Sequence, residues 1–205
     1  SVTDGLVFRN CRFRNMFADG LNLARGTKNS IVENCHFRGN GDDSVATWSS
    51  TTSLPMCMDN IFRYNTIECN YRAAGIGVFG GQNHRVHHNI VRDMVSGAGM
   101  RFNTTFAENG YDFSASGTMM IHANTLVRCG TLGGFAPHEP YGAINLVTCY
   151  GDIRNLTFTD NIIDGVLNNG IYVSHQTWGS GGVITNVSFE RLWVTGVPTG
   201  IWVKS

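Results

Sequence analysis

Seven times along the chain a short apolar–polar alternation breaks at a polar corner and resumes within a few residues. The segments are VFRNCRF (7–13), IVENCHF (31–37), FRYNTI (62–67), VHHNIV (86–91), IHANTLV (121–127), FTDNII (158–163) and VSFERLW (187–193). Each opens on an apolar residue three places before a common column, which holds Asn10, Asn34, Asn65, Asn89, Asn124, Asn161 and finally Glu190. Spacings of 24, 31, 24, 35, 37 and 29 residues are too irregular for a helical repeat. They suit a constant turn of structure with loops of changing length.

A second set of segments follows the first: GLNL (20–23), SVAT (44–47), GIGV (75–78), GMRF (99–102), AINL (143–146), GIYV (170–173) and GIWV (200–203). From the first column to Leu21, Val45, Ile76, Met100 and Ile201 the distance is 11 residues; it is 10 to Ile171 and 20 to Ile144, where an insertion with Pro137 and Pro140 intervenes. Period-two alternation, β-branched residues and glycine punctuation predict strands, and no long segment carries a 3.6-residue period.

Seven strand pairs with a stacked Asn column predict an all-β protein, a right-handed parallel β-helix of about seven coils. Two inward columns would fill its lumen: Leu21, Val45, Ile76, Met100, Ile144, Ile171, Ile201 and Leu23, Thr47, Val78, Phe102, Leu146, Val173, Val203. Cys11 and Cys35 share a column on adjacent coils, as a disulfide or as two stacked free thiols. Residues 1–205 form one domain on this reading, without a recognisable cap, leader or spanning segment, and the chain reads as an excerpt of a longer catalytic region.

Charge narrows the partners. Lys plus Arg and Asp plus Glu number 15 each, so the net charge is zero and no basic run marks nucleic acid or a membrane surface as a partner. A neutral ligand is the simpler expectation. Six cysteines without CxxC spacing argue against a zinc or dithiol site. His84, His87 and His88 invite a metal, but His87 and His88 should alternate faces and fail to converge.

The acids carry the chemistry. ADGLNL (18–23) and DDSVAT (42–47) are equivalent, so Asp19 and Asp43 share a column 24 residues apart, the same offset as Asn10 to Asn34. Later coils place Ala74, Ala98, Gly142, Asn169 and Thr199 there. Two carboxylates then stack about one strand spacing apart, roughly 4.8 Å, with Asp42 beside them. A turn needs one acid; crowding three splits their pKa values, the condition for dividing acid and base roles.

Residues 17–49, FADGLNLARGTKNSIVENCHFRGNGDDSVATWS, resemble the catalytic core of the α-1,3-glucanases and mycodextranases of glycoside hydrolase family 87. Polygalacturonases and family 49 dextranases share the β-helix and the Asp plus Asp-Asp arrangement more distantly. The resemblance implies a secreted, endo-acting, inverting glycosidase working as a monomer on an α-1,3-glucan. It carries over Asp19, Asp42 and Asp43 as catalytic, with Asp42 as general acid and the pair Asp19 and Asp43 holding the water; a swap of Asp42 and Asp43 stays open. The Gly-His-Gly and Arg-Ile-Lys motifs that handle uronates in polygalacturonases are missing, which favours a neutral glucan. No cofactor is required on this reading, and a structural calcium on carboxylate oxygens is compatible with it.

Outward positions of the second strand supply substrate-binding candidates: Asn22, Arg101, Tyr172, Trp48 and Asn103. Trp48 could stack on a pyranose or pack as a rim residue; Arg101 could bind a hydroxyl or pair with an acid. His175, Gln176 and Trp178 are candidates for a distal subsite. The rival readings are a β-helix lyase or epimerase acting on uronides, and a carbohydrate-binding solenoid without catalysis.

Overall fold

The computed structural model describes residues 2–49, 55–104, 113–132, 141–175, 179 and 181–204. Gln176, Trp178, Pro137 and Pro140 lie outside them. Among the described residues there is no helix; strands assemble into three parallel sheets of seven strands, each coil adding one strand to every sheet. The first coil contributes Val7–Arg9, Arg12–Arg14 and Leu21–Ala24. Its successors repeat that order through to Ile184–Glu190, Trp193–Thr195 and Thr199–Lys204.

Each coil therefore has three strands where the alternation predicted two. The reason lies inside the first segment: Asn10, Asn34, Tyr64, His88, Ala123, Asp160 and Arg191 all take a positive φ between 46° and 58°. One left-handed residue reverses the side-chain alternation and folds each segment into two strands at a corner.

The same corner corrects the Asn column. Arg9 pairs with Glu33 and Glu33 with Arg63, so Asn10 and Asn34 stack with Tyr64, while Cys11 and Cys35 stack with Asn65. The sequence spacing hid a one-residue slip. The ladder comprises Asn65, Asn89, Asn124 and Asn161, each Nδ2 of the first three donating to the next Oδ1 at 2.9–3.0 Å. Each side chain also holds backbone, Asn89 donating to Phe62 O at 2.9 Å and accepting from Asn65 N at 3.1 Å. Cys11 and Cys35 are free thiols.

The inward columns match the register predicted for them, from Leu21 opposite Val45 to Ile171 opposite Ile201, and from Leu23 opposite Thr47 to Val173 opposite Val203. They pack with Phe37, Phe62, Ile121 and Phe158 from the other two sheets into one buried core. At the last coil Ile201 and Val203 occupy lumen columns yet are exposed.

Candidate active site

The acids sit at the corner that leads into the third sheet, and a second polar ladder fixes that corner. Met16 N donates to Asn40 Oδ1, and Asn40 N to Asn70 Oδ1. Ser44 joins them, receiving Asn40 Nδ2 at 3.1 Å and donating Oγ–H to Asn70 Oδ1 at 2.5 Å. Asn70 Nδ2 in turn reaches the carbonyls of Asp42 (2.6 Å) and Ala74 (3.0 Å). Asn40, Ser44 and Asn70 are all fully buried. Buried amides with complete hydrogen bonding leave the Asp42-Asp43 backbone little freedom.

On this support the three carboxyls converge. One oxygen from each of Asp19, Asp42 and Asp43 lies within 4.8 Å of the others. Gly20 N donates to Asp43 O at 3.0 Å and Asp42 N to Ala18 O at 3.2 Å, which holds the two coils in the register that stacks Asp19 on Asp43. Carboxylate oxygens in this arrangement also have the chemistry to ligate a hard cation such as Ca²⁺.

The three environments differ. Asp43 is 4% exposed, accepts the Ala74 N–H at 2.9 Å and faces Gly77 on the next coil. Burial pushes its pKa up to about 8; the Arg101 guanidinium one coil beyond Gly77 opposes this, and the charges of Asp19 and Asp42 reinforce it. Asp19 is raised as well, chiefly by burial, against the hydrogen bond it accepts from Asn22 Nδ2 at 2.8 Å. Asp42 is the more open of the adjacent pair: its side chain is 33% exposed, Arg72 approaches at 3.7 Å, and Oδ1 accepts the Asp43 N–H.

Of the substrate-binding candidates, Asn22 and Arg101 stand with the acids, one bonded to Asp19 and the other acting on Asp43. Arg101 also lies over the Tyr141 ring, 5.8 Å from its centroid, and its buried Nε has no hydrogen-bond partner among the described residues. Trp48 is half-buried, with the Arg25 guanidinium 5.9 Å from its ring centroid. Asn103 is fully buried, and neither of its amide atoms has a hydrogen-bond partner among the described residues. Tyr172 is buried against Trp202 at 5.8 Å and presents no open face. Asn40, Ser44, Asn70, Arg72 and Gly77 escaped sequence reasoning. The asparagine ahead of the corner in GNGDD and CNYRAAG was the available signal.

The histidines depart from the alternation expected of them. His88 has φ of +56°, which turns its ring onto the side of His87, Nδ1 to Nδ1 2.9 Å, and His122 stacks on His87 at 4.7 Å. Burial, with neighbouring His122 and His88, lowers His87 to about 4. His84 is separate and structural: it is fully buried, and its Nδ1 accepts from Asn60 N at 3.2 Å. His175 meets Thr148 Oγ1 at 3.2 Å.

Fold and site together define a parallel β-helix with a carboxylate cluster on the corner entering one sheet. The sequence pattern of the α-1,3-glucanase catalytic domain D2 matches residues 3–196, and the chain belongs to that family. Solved structures agree. The catalytic domain of Agl-KA is 31% identical over 97% of this chain and 42% of its own, with a TM-score of 0.73. The catalytic unit of a thermostable GH87 α-1,3-glucanase from Streptomyces thermodiastaticus strain HF3-3 is 26% identical over 97% of this chain and 40% of its own, TM-score 0.76. An Asp-to-Ala variant of a GH87 α-1,3-glucanase catalytic domain in complex with tetrasaccharides is 25% identical over 91% of this chain and 34% of its own, TM-score 0.80. The chain thus spans less than half the length of each. No curated protein matches it.

Proposed function

We propose that this chain carries the catalytic acids of a secreted, monomeric, endo-acting glycoside hydrolase that cleaves α-1,3-glucosidic bonds in a neutral glucan with inversion. The observation that carries the reading is the convergence of Asp19, Asp42 and Asp43 within 4.8 Å on adjacent coils, in a family named for α-1,3-glucanase catalytic domains. A related domain with one aspartate replaced by alanine holds tetrasaccharides, which supports a sugar as ligand.

In this mechanism Asp42, open to solvent, gives its proton to the glycosidic oxygen as the bond from the anomeric carbon breaks. Asp19 and Asp43 share one proton because burial and mutual repulsion disfavour two charges. The pair then keeps a single negative charge, and takes a proton from the water whose oxygen bonds to the anomeric carbon. The chemistry needs no cofactor. Inverting carboxylates typically stand about 6.5–9.5 Å apart; the oxygens here are nearer, so inversion rests on the family resemblance, and the anomeric form of the product tests it.

The raised pKa of Asp43 favours a second assignment, with Asp43 as the acid. Single Asp→Asn variants separate the two. Loss of the acid leaves turnover of an α-glucosyl substrate with a good leaving group, whereas loss of a base member abolishes it. The function itself is tested by reducing-end release from α-1,3-glucan, with product size and NMR of the nascent anomer. No release, or release unaffected by all three variants, overturns it.

A further inference from the structure

The corner that holds the acids also displays apolar side chains that the fold does not bury. Phe17, two residues before Asp19, is 92% exposed. Tyr71, two coils further on, is 47% exposed, and its hydroxyl donates to Phe17 O at 3.5 Å. Val95 continues the row at 65% exposed. Backbone bonds fix this register: Gly41 N to Met16 O, Tyr71 N to Asn40 O and Val95 N to Asn70 O. The column therefore reads Phe17, Gly41, Tyr71, Val95 along the solenoid axis, with Asp42 next to its second member.

Gly41 makes the arrangement possible. A Cβ there would stand 2.1 Å from Tyr71 Oη and 2.2 Å from Phe17 O, so only glycine lets the tyrosine lean across the intervening coil. The Arg72 Nε–H meets Gly41 O at 2.9 Å from the same side. An aromatic ring left in water forgoes the gain of burial. Single exposed apolar residues are ordinary; a row of them leading up to a carboxylate cluster, held by a cross-coil bond, is a feature of a different kind.

We infer that Phe17 and Tyr71 form an aromatic subsite on which pyranose rings of the glucan stack, so that the chain of sugars runs along the solenoid axis past Asp42. The apolar face of a neutral pyranose suits an aromatic face. The inference rests on the glycosidase reading above and adds the direction of the substrate and two residues that position it. Neither ring takes part in proton transfer; both are positioning residues.

Phe17→Ala and Tyr71→Ala, measured on α-1,3-linked oligosaccharides of increasing length, should each raise KM about tenfold, the equivalent of about 1.4 kcal/mol, with kcat within twofold. Tyr71→Phe, which keeps the ring but loses the bond to Phe17 O, should raise KM less than Tyr71→Ala. Because Phe17 is almost wholly in water, Phe17→Ala should leave the melting temperature unchanged, which separates sugar binding from folding. Unchanged KM in both alanine variants, or a loss of kcat that tracks melting temperature, overturns the subsite. If the parent protein hydrolyses nothing, the glycosidase reading fails. The subsite is then judged by calorimetric binding of the same oligosaccharides, and equal affinity of parent and Phe17→Ala sinks it.

Discussion

A methyl group on Gly77 would stand 2.4 Å from Oδ2 of Asp43. The absence of a side chain at position 77 is thus what gives the buried carboxyl its room and leaves the path from Arg101 to Asp43 clear. Gly77→Ala should displace Asp43 while leaving strand pairing intact, because position 77 faces outward between Ala46 and Arg101. The expected outcome is at least a hundredfold loss of kcat for about 1–2 kcal/mol of stability, in line with the cost of a forced shift in packed surroundings. Initial rates and denaturant melts on the same preparation check both halves. A variant of full activity would show that Asp43 is free to move without consequence.

Asp43 also makes a pH-dependent contribution to stability, and its sign is unusual. In the unfolded chain its carboxyl ionises near pH 4; in the fold burial holds the proton to about 8. Between those values the unfolded state binds fewer protons, so stability falls as pH rises from about 4 to about 8 and is level above. Asp43→Asn removes this term. It should be more stable than the parent at pH 8 by a few kcal/mol, and the gap should close towards pH 4. Thermal melts across that range decide it; a constant offset would mean that Asp43 ionises normally.

How much of this was legible beforehand depends on what each residue answers to. Lumen columns are set by alternation, which sequence displays directly, so Leu21 through Ile201 fell into register without structural help. The corner did not. Tyr64, His88 and Ala123 take left-handed backbone although none is glycine, because parallel pairing on both sides over-determines their conformation. The predicted ladder is therefore one residue out of step at Asn10 and Asn34, and two at Glu190, which pairs with Thr159. The acids survived the slip because Asp19 and Asp43 were aligned through the downstream strand, whose pairing is free of that corner. What surrounds them, Ser44 with Asn70 or Gly77 with Asp43, depends on contacts between coils about 26–34 residues apart in a chain of uneven spacing. No local pattern marks such pairs.

The Asn ladder yields its own forecast. Asn89 accepts from Asn65 N and Nδ2 and donates to Phe62 O and Asn124 Oδ1, all out of water. Truncation to alanine strands several of these partners, each costing about 1–3 kcal/mol when buried and unpaired. Asn89→Ala should lose about 3–5 kcal/mol in urea titration, whereas Asn10→Ala, outside the ladder, should lose about 1 or less. Equal losses would return Asn10 to the ladder.

Charge alternates along the outer columns as well. Glu68 receives Arg38 Nη1 at 2.6 Å, Arg92 Nη2 at 2.7 Å and His36 Nε2 at 3.1 Å. Burial disfavours its charge, yet the bonds from Arg38, His36 and Arg92 prevail and bring the pKa down to about 2. A depressed carboxyl stabilises the fold above its unfolded value near 4.3, and that contribution disappears as pH falls towards about 2. Glu68→Gln should flatten the acid limb of the stability curve between those values and lower stability at pH 7. An unaltered acid limb would assign acid unfolding to other carboxyls.

Arg101 tests the electrostatics of the site from outside the acid cluster. Its guanidinium is the largest influence opposing the burial-driven rise of Asp43. Replacing it with methionine keeps the aliphatic stem but removes the guanidinium and its place over the Tyr141 ring, and should raise Asp43 above about 8. The Asp19 and Asp43 pair carries one negative charge for as long as Asp43 keeps the shared proton, so the loss of that proton, which would charge the pair twice, moves up with it. Activity near neutrality is then retained while the alkaline limb of kcat shifts upward by about one unit, the range expected for a neighbouring opposite charge. Carboxyl ¹³C NMR should follow the same shift at Asp43. A kcat profile that drops without moving would make Arg101 a ligand for the sugar rather than a setter of the base.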